Sequence, residues 1–281
     1  MQPKNAKLAG TLYIVATPIG NLQDITLRAL QTLRDVDTIL AEDTRSTRKL
    51  LSHFDIKKPL EKFERFSEKS KESGLIERLA QGELVALVSD AGTPAILDPG
   101  ASLVLACHQS GIPVVPVPGP SALTAALCAS GLIEDGFTFF GWAPRKPGER
   151  KAFGLWLRQT PLPAVLFESA RRLSGLLKAL APSLGERETF IGRELTKIHE
   201  THYFGRLEDL AVQFSKEIEP LKGELVVVIK GTKRPSLVPQ EKGPLAKPGP
   251  KDKAKALSQM IGVTPKEAYS ILQAFRKKKC D

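Results

Sequence analysis

Ser89-Asp90-Ala91-Gly92-Thr93-Pro94-Ala95-Ile96-Leu97-Asp98-Pro99-Gly100 stands between an apolar, β-prone run, Leu84 to Val88, and an apolar-periodic segment from Ala101 to Cys107. A strand, a loop shaped by Gly and Pro, and a helix in that order build a ligand-binding edge of an α/β sheet. Two more loops of the same style follow strand-like runs. Thr17-Pro18-Ile19-Gly20-Asn21 comes after Leu12 to Ala16, and Pro116-Val117-Pro118-Gly119-Pro120-Ser121-Ala122 after Ile112 to Val115. Three rigid, small-residue loops at successive strand ends predict one shared small-molecule site.

Working outward, strand-like and helix-like segments alternate from Thr11 to about Gly131. A strand at Thr38 to Ala41, a helix from Thr44 to Phe54, a strand near Phe63 and a helix through Leu75, Ile76 and Leu79 fill the interval before Leu84. This alternation predicts a largely parallel sheet with helices on both faces. Beyond Phe137 the rhythm changes. Helical patterns at Ala152 to Leu157 and Leu173 to Leu180 are mixed with strand candidates at Ala164 to Phe167, Glu188 to Gly192, His202 to Phe204 and Glu224 to Ile229, which predicts a second, mixed sheet. The expected organisation is two α/β domains, 1–118 and 119–231. A Pro/Gly/Lys-rich linker over 232–253 and a small C-terminal helical pair over 254–281 complete it, with Thr264 as N-cap and Pro265 at the first helical position.

The chain of 281 residues is long enough for about two well-buried cores, and its 42% hydrophobic and 26% charged residues are ordinary for a globular protein. A formal charge of +10 is not, and it points to a polyanionic partner such as nucleic acid. Cys107, Cys128 and Cys280 are widely spaced, with no metal or disulfide pattern; the first two are read as core residues. No apolar run reaches membrane-spanning length and no apolar leader follows Met1, so a cytoplasmic location is expected.

No G-x-G-x-x-G occurs. Asp90-Ala91-Gly92-Thr93-Pro94 imitates the D-x-G-x-G methyltransferase loop, but Pro94 stands where its next Gly belongs, which excludes the ordinary Rossmann reading. Instead, Tyr13 to Leu22, Glu42-Asp43-Thr44-Arg45, Ser89 to Gly100, Pro118 to Ala122 and Arg193-Glu194-Leu195-Thr196-Lys197 together resemble the bacterial 16S ribosomal RNA (cytidine 2′-O)-methyltransferases. These belong to the tetrapyrrole-methylase class. The resemblance runs from about Gly10 to Gly231 and extends to the C-terminal helical pair. It implies S-adenosyl-L-methionine as cofactor, held in a cleft between the two α/β domains, the 16S rRNA of the small ribosomal subunit as substrate, with a cytidine at position 1402 as target, and a homodimer. It also implies cofactor contacts at Pro18, Ala91, Gly92, Thr93, Ile96, Ser121, Ala122, Glu168 and Glu194. One motif departs from the pattern: Glu168-Ser169-Ala170-Arg171-Arg172 carries Arg171 where the family commonly has His.

Transfer of a methyl group to a ribose hydroxyl needs in-line positioning and gains from a proton acceptor. Asp43, Asp90, Glu168, Glu194 and Lys197 are the candidates, and sequence does not choose among them. Asp43 or Thr44 also suits a helix cap. Arg45, Arg48 and Lys49 fall on one helical face, which suits a phosphate track; Arg145, Lys146, Arg171 and Arg172 are further RNA-binding candidates, and Trp142 a stacking one. His199 and His202 lie in a segment read as extended, on opposite faces, so no metal site is expected. Two other readings stay open: a tetrapyrrole or small-molecule methyltransferase of the same fold, and a non-enzymatic RNA-binding protein of ribosome assembly.

Overall fold

Five short apolar runs form the first sheet: β1 (Thr11–Val15), β2 (Thr38–Ala41), β3 (Leu60–Lys62), β4 (Leu84–Val88) and β5 (Val114–Val117). All pairings are parallel, in the order β3-β2-β4-β1-β5. A parallel sheet needs helices on both faces, and so needs strands that are apolar on both sides. β4 shows how this works. Val85 and Leu87 pack under α3 (Glu68–Ala80) and α4 (Ala101–Gln109), while Ala86 and Val88 pack under α1 (Leu27–Asp35) and α2 (Thr44–His53).

The computed structural model describes residues 10–65, 68–216, 222–232, 258, 264–267 and 269–270. The chain divides into two compact units, Met1–Lys233 and Arg234–Asp281. Both sheets belong to the first.

The second sheet contains β6 (Thr138–Trp142), β7 (Ala164–Ser169), β8 (Glu188–Arg193), β9 (Thr201–Arg206) and β10 (Glu224–Ile229), in the order β6-β7-β10-β8-β9. Only β6 and β7 are parallel. One face carries α5 (Ala122–Ser130), whose Ala126 sits among Val165, Phe190, Val226 and Val228. The other carries α6 (Pro147–Leu157), α7 (Ala170–Leu184) and α8 (Leu207–Ser215) over Leu166, Ile191 and Val227.

Several sequence expectations change. Pro116 and Val117 belong to β5 rather than to the loop after it; β5 is an edge strand, where a missing N–H costs no ladder bond. Phe139 to Trp142, absent from the expected strands, is in β6, kinked by a register shift before Trp142. α8 was not expected. Cys107 is buried as predicted, but Cys128 is exposed. His199 lies in a turn rather than in an extended segment, and His202 Nε2 pairs with Glu200 at 2.8 Å. Among the described residues no cluster suits a metal ion, and no helix is long and apolar enough to cross a membrane.

In the second unit, Thr264 and Glu267 form a reciprocal cap. The Glu267 amide donates to Thr264 Oγ1 at 3.4 Å and the Thr264 amide to Glu267 Oε2 at 2.8 Å, with Pro265 at the first helical position. The rest of the expected linker and helical pair lies outside the described residues.

Candidate active site

Strands β1 and β4 are neighbours, yet the chain leaves β1 through α1 on one face and β4 through α4 on the other. Their carboxyl ends therefore part, and this is where open α/β sheets bind ligands. The two diverging loops are stitched together. The Thr17 amide donates to Gly92 O at 2.9 Å and the Gly92 amide to Thr17 O at 3.0 Å; Thr17 Oγ1 donates to Ser89 O at 3.1 Å. The third loop joins through Thr93 Oγ1, which donates to Pro120 O at 3.5 Å. Gly92 has φ +83°, and a Cβ there would lie 3.3 Å from Ile19 Cγ2. Downstream, Ala95 and Leu97 hold φ of 64° and 66°, an uncommon conformation for side-chain-bearing residues.

The opposite wall comes from the second sheet. After β8 the chain turns through Glu194 (φ 50°) and Thr196 (φ 68°), and the stem of Lys197 lies so close to the first loop that a Cβ on Gly20 would sit 2.3 Å from Lys197 Cγ. Glu194 Oε1 accepts from Lys197 Nζ at 2.9 Å and from the Glu224 amide at 3.0 Å, which fixes the turn against β10.

Between these walls lies a cleft of ≈ 290 Å³. The first sheet and its loops contribute Ile19, Glu42, Asp90, Ala91, Gly92, Thr93, Ile96, Leu97 and Asp98; the third loop and α5 add Ser121, Ala122 and Leu123. Trp142, Phe167, Gly192, Leu195, Lys197, Glu224, Leu225 and Val226 line the far side. Apolar and aromatic walls suit a purine nucleoside. The carboxylates Glu42, Asp90 and Asp98 suit a cationic group, so the residues fit a sulfonium-bearing nucleoside.

Of the predicted cofactor contacts, Ala91, Gly92, Thr93, Ile96, Ser121 and Ala122 meet in this cleft. Pro18 lines an adjoining cleft with Thr17, Gly20 and Lys49, which shares Ile19, Asp90 and Ala91 with the first. Glu194 stands behind Lys197 and is not in the lining. Glu168 is elsewhere. Alternation along β7 turns Phe167 to the cleft and Glu168 to the α6 and α7 side, where it is fully buried. There Oε1 accepts from Arg172 Nε at 2.6 Å and from the Ser169 amide at 2.7 Å, while Arg150 approaches Oε2 to 3.8 Å.

The proton-acceptor candidates separate by their surroundings. Asp43 caps α2 and grips Arg45 at 2.8 Å, a hydrogen-bonded pairing that holds its carboxyl down to about 2. Burial alone would lower the Lys197 ammonium, but its bonds to Glu194 and the nearby Glu224 carboxylate outweigh that and raise it, which favours the charged form. Asp90 Oδ1 accepts from the Asp43 amide at 3.0 Å. Sequence reasoning missed Glu42 and Asp98, although both stand inside quoted motifs. Burial, then the Glu42 and Asp90 charges, push Asp98 up to about 6 against the pull of Arg65; burial and Asp90 likewise raise Glu42.

The basic candidates lie on two patches. Arg45, Arg48 and Lys49 are exposed along α2. Arg145, Lys146 and Arg171 are exposed at the carboxyl edge of β6 and β7, where the Arg172 guanidinium stands 6.0 Å from the ring centre of half-exposed Trp142.

A two-sheet α/β unit with a nucleoside-sized cleft at a strand-order reversal defines a small-molecule-binding fold. The profile of the Tetrapyrrole (Corrin/Porphyrin) Methylases matches residues 11–211, and the chain belongs to that family. The methyl donor of the family, and of this chain, is S-adenosylmethionine. The chain is 48% identical over 223 residues to Ribosomal RNA small subunit methyltransferase I of Xylella fastidiosa, covering 79% of this chain and 82% of that protein. It is 46% identical to the protein of the same name from Thermotoga maritima, covering 79% and 99%. Uroporphyrin-III C-methyl transferase from Thermus thermophilus, solved with S-adenyl homocysteine, shares the fold at a TM-score of 0.52 and 20% identity over 80% of this chain and 98% of that one.

Proposed function

We propose that the chain transfers the methyl group of S-adenosylmethionine to the ribose 2′-hydroxyl of a cytidine in 16S rRNA, at position 1402, acting as a homodimer on the small subunit in the cytoplasm. The relatives carrying an rRNA methyltransferase name at 46–48% identity are the observation on which this reading rests. The exposed cations of α2 and of the β6–β7 edge support it, because they form two patches outside the cleft lining, which suits an extended polyanion. Ala91, Gly92, Thr93, Ile96, Ser121 and Ala122 hold the cofactor in this reading, with Pro18 at its margin. The cofactor supplies an electrophilic methyl group; the protein supplies a water-poor cleft and a fixed line of approach.

A methylated 2′-oxygen cannot attack the adjacent phosphate, so the modified linkage survives alkali. Unmodified small subunits incubated with the protein and labelled cofactor, then digested with alkali, are expected to release a labelled dinucleotide. Label in mononucleotides alone would mean base methylation. Tight cofactor binding with no transfer to RNA would favour the tetrapyrrole reading.

A further inference from the structure

Of the proton acceptors that the sequence nominates, only Asp90 lines the cleft without an ion-pair partner among the described residues, and its Oδ1 is taken by a backbone amide. Asp43 is tied to Arg45, Asp90 holds the Asp43 amide, Glu194 and Lys197 hold each other, and Glu168 is buried behind the sheet. Two cleft carboxylates, Glu42 and Asp98, make no hydrogen bond or ion pair among the described residues.

Asp98 is also rigidly mounted. On its N-terminal side Leu97 is in the left-handed region, and its side chain fills the space over Gly141 in β6, where a Cβ would lie 2.9 Å from Leu97 Cδ2. Leu97 O accepts from Arg65 at 2.9 Å. On the C-terminal side the Gly100 amide donates to Glu68 Oε1 at 3.0 Å, which also accepts from Ser102 and caps α4. The carboxyl between these anchors is half-buried and lines the cleft.

We propose that Asp98 is the catalytic residue that takes the proton from the acceptor hydroxyl; this rests on the ribose-methylation reading above. The hydroxyl oxygen bonds to the methyl carbon, the carbon–sulfur bond breaks with its electron pair left on sulfur, and the hydroxyl proton passes to the Asp98 carboxylate and then to water. The charges facing Asp98 are Glu42 at the end of β2, Asp90 at the end of β4 and Arg65 after β3. With a carboxyl at about 6, the group is ionised at neutral pH yet basic enough to accept a proton.

The test compares wild type, Asp98→Asn and Glu42→Gln on unmodified small subunits, with cofactor affinity measured by calorimetry. Asp98→Asn is expected to weaken cofactor binding by about tenfold or less, since Glu42 and Asp90 still face the cation, while kcat falls by roughly 10²–10⁴. The rise of kcat with pH through about 6 is expected to vanish in Asp98→Asn and to move to lower pH in Glu42→Gln, which removes a neighbouring charge. An Asp98→Asn enzyme with unchanged kcat or an unchanged pH rise overturns the proposal, as does one whose main defect is cofactor affinity. Those outcomes leave ribose methylation standing. A wild type that yields no alkali-resistant dinucleotide overturns both.

Discussion

The two sheets each have five strands and helices on both faces, yet they contribute to the cleft in different ways. In the first, parallel strands deliver every following loop to one edge, so Ile19, Glu42, Asp90 and Asp98 converge from separate parts of the sequence. In the second, only β6 and β7 are parallel, and the wall is made of strand residues and one turn, with the Phe167 and Val226 side chains pointing in beside the bare backbone of Gly192. Loops can be read as motifs. A strand wall depends on which face each residue takes, and a one-residue change of register reverses it.

Glu168 gives the sharpest way to break this contrast. If it belongs to the core of the second sheet, Glu168→Ala leaves Arg172 and Arg150 without their buried partner and should cost about 3–5 kcal/mol in denaturant unfolding. Glu168→Gln, which keeps the volume, should retain cofactor affinity in calorimetry. A specific loss of affinity in a stably folded Glu168→Gln protein would return the residue to the cofactor site.

The first sheet is probed at Gly92. A valine there must adopt φ +83° with its Cβ against Ile19, so the stitched loops should open and cofactor affinity should fall by about 100-fold or more. Unchanged affinity in a folded variant would remove this loop from the site.

A smaller effect is expected on α2. Arg48 and Lys49 have no ion-pair partner among the described residues, and charge reversal at both should weaken small-subunit binding by about tenfold at low salt and flatten its ionic-strength dependence. Cofactor affinity should stay as it was. An identical salt slope in the double variant would take α2 out of the RNA path.

The smallest effect concerns Asp98 and stability. Its folded carboxyl titrates near 6, above the unfolded value of 3.8, so between these pH values the native state binds more protons than the unfolded one and stability falls as pH rises. Asp98→Asn removes that loss, and its Tm should exceed wild type at pH 7.5 by a few degrees at most, with no gain at pH 3.5. Equal Tm differences at both pH values would mean the carboxyl is not perturbed by folding.

Read along the chain, the first sheet was largely legible. Strands β2 and β4, the Asp43 cap and the three loops follow from apolar runs, Gly and Pro punctuation, and capping chemistry, all local signals. The second sheet was legible as mixed, but β6 and α8 were missed. The kink at Gly141 breaks the alternation that would have marked β6 as a strand. α8 follows β9 directly, without a side-chain cap at Arg206 to mark its start.

Sequence alone determined the fold class, the loops that line the cleft and, through Ser89 to Gly100 and its companion motifs, the family, because backbone-shaping residues act where they stand. Which carboxylates are free was decided only by tertiary structure. Asp43, Asp90, Asp98, Glu168 and Glu194 are chemically alike in sequence. Local pairings with Arg172 and Lys197, completed by Arg150 and the Glu224 amide from distant segments, tie up Glu168 and Glu194, while packing leaves Asp98 half-buried in the cleft beside Glu42 and Asp90. A carboxyl's charge and reach depend on burial and on neighbours that only folding brings within a few ångströms.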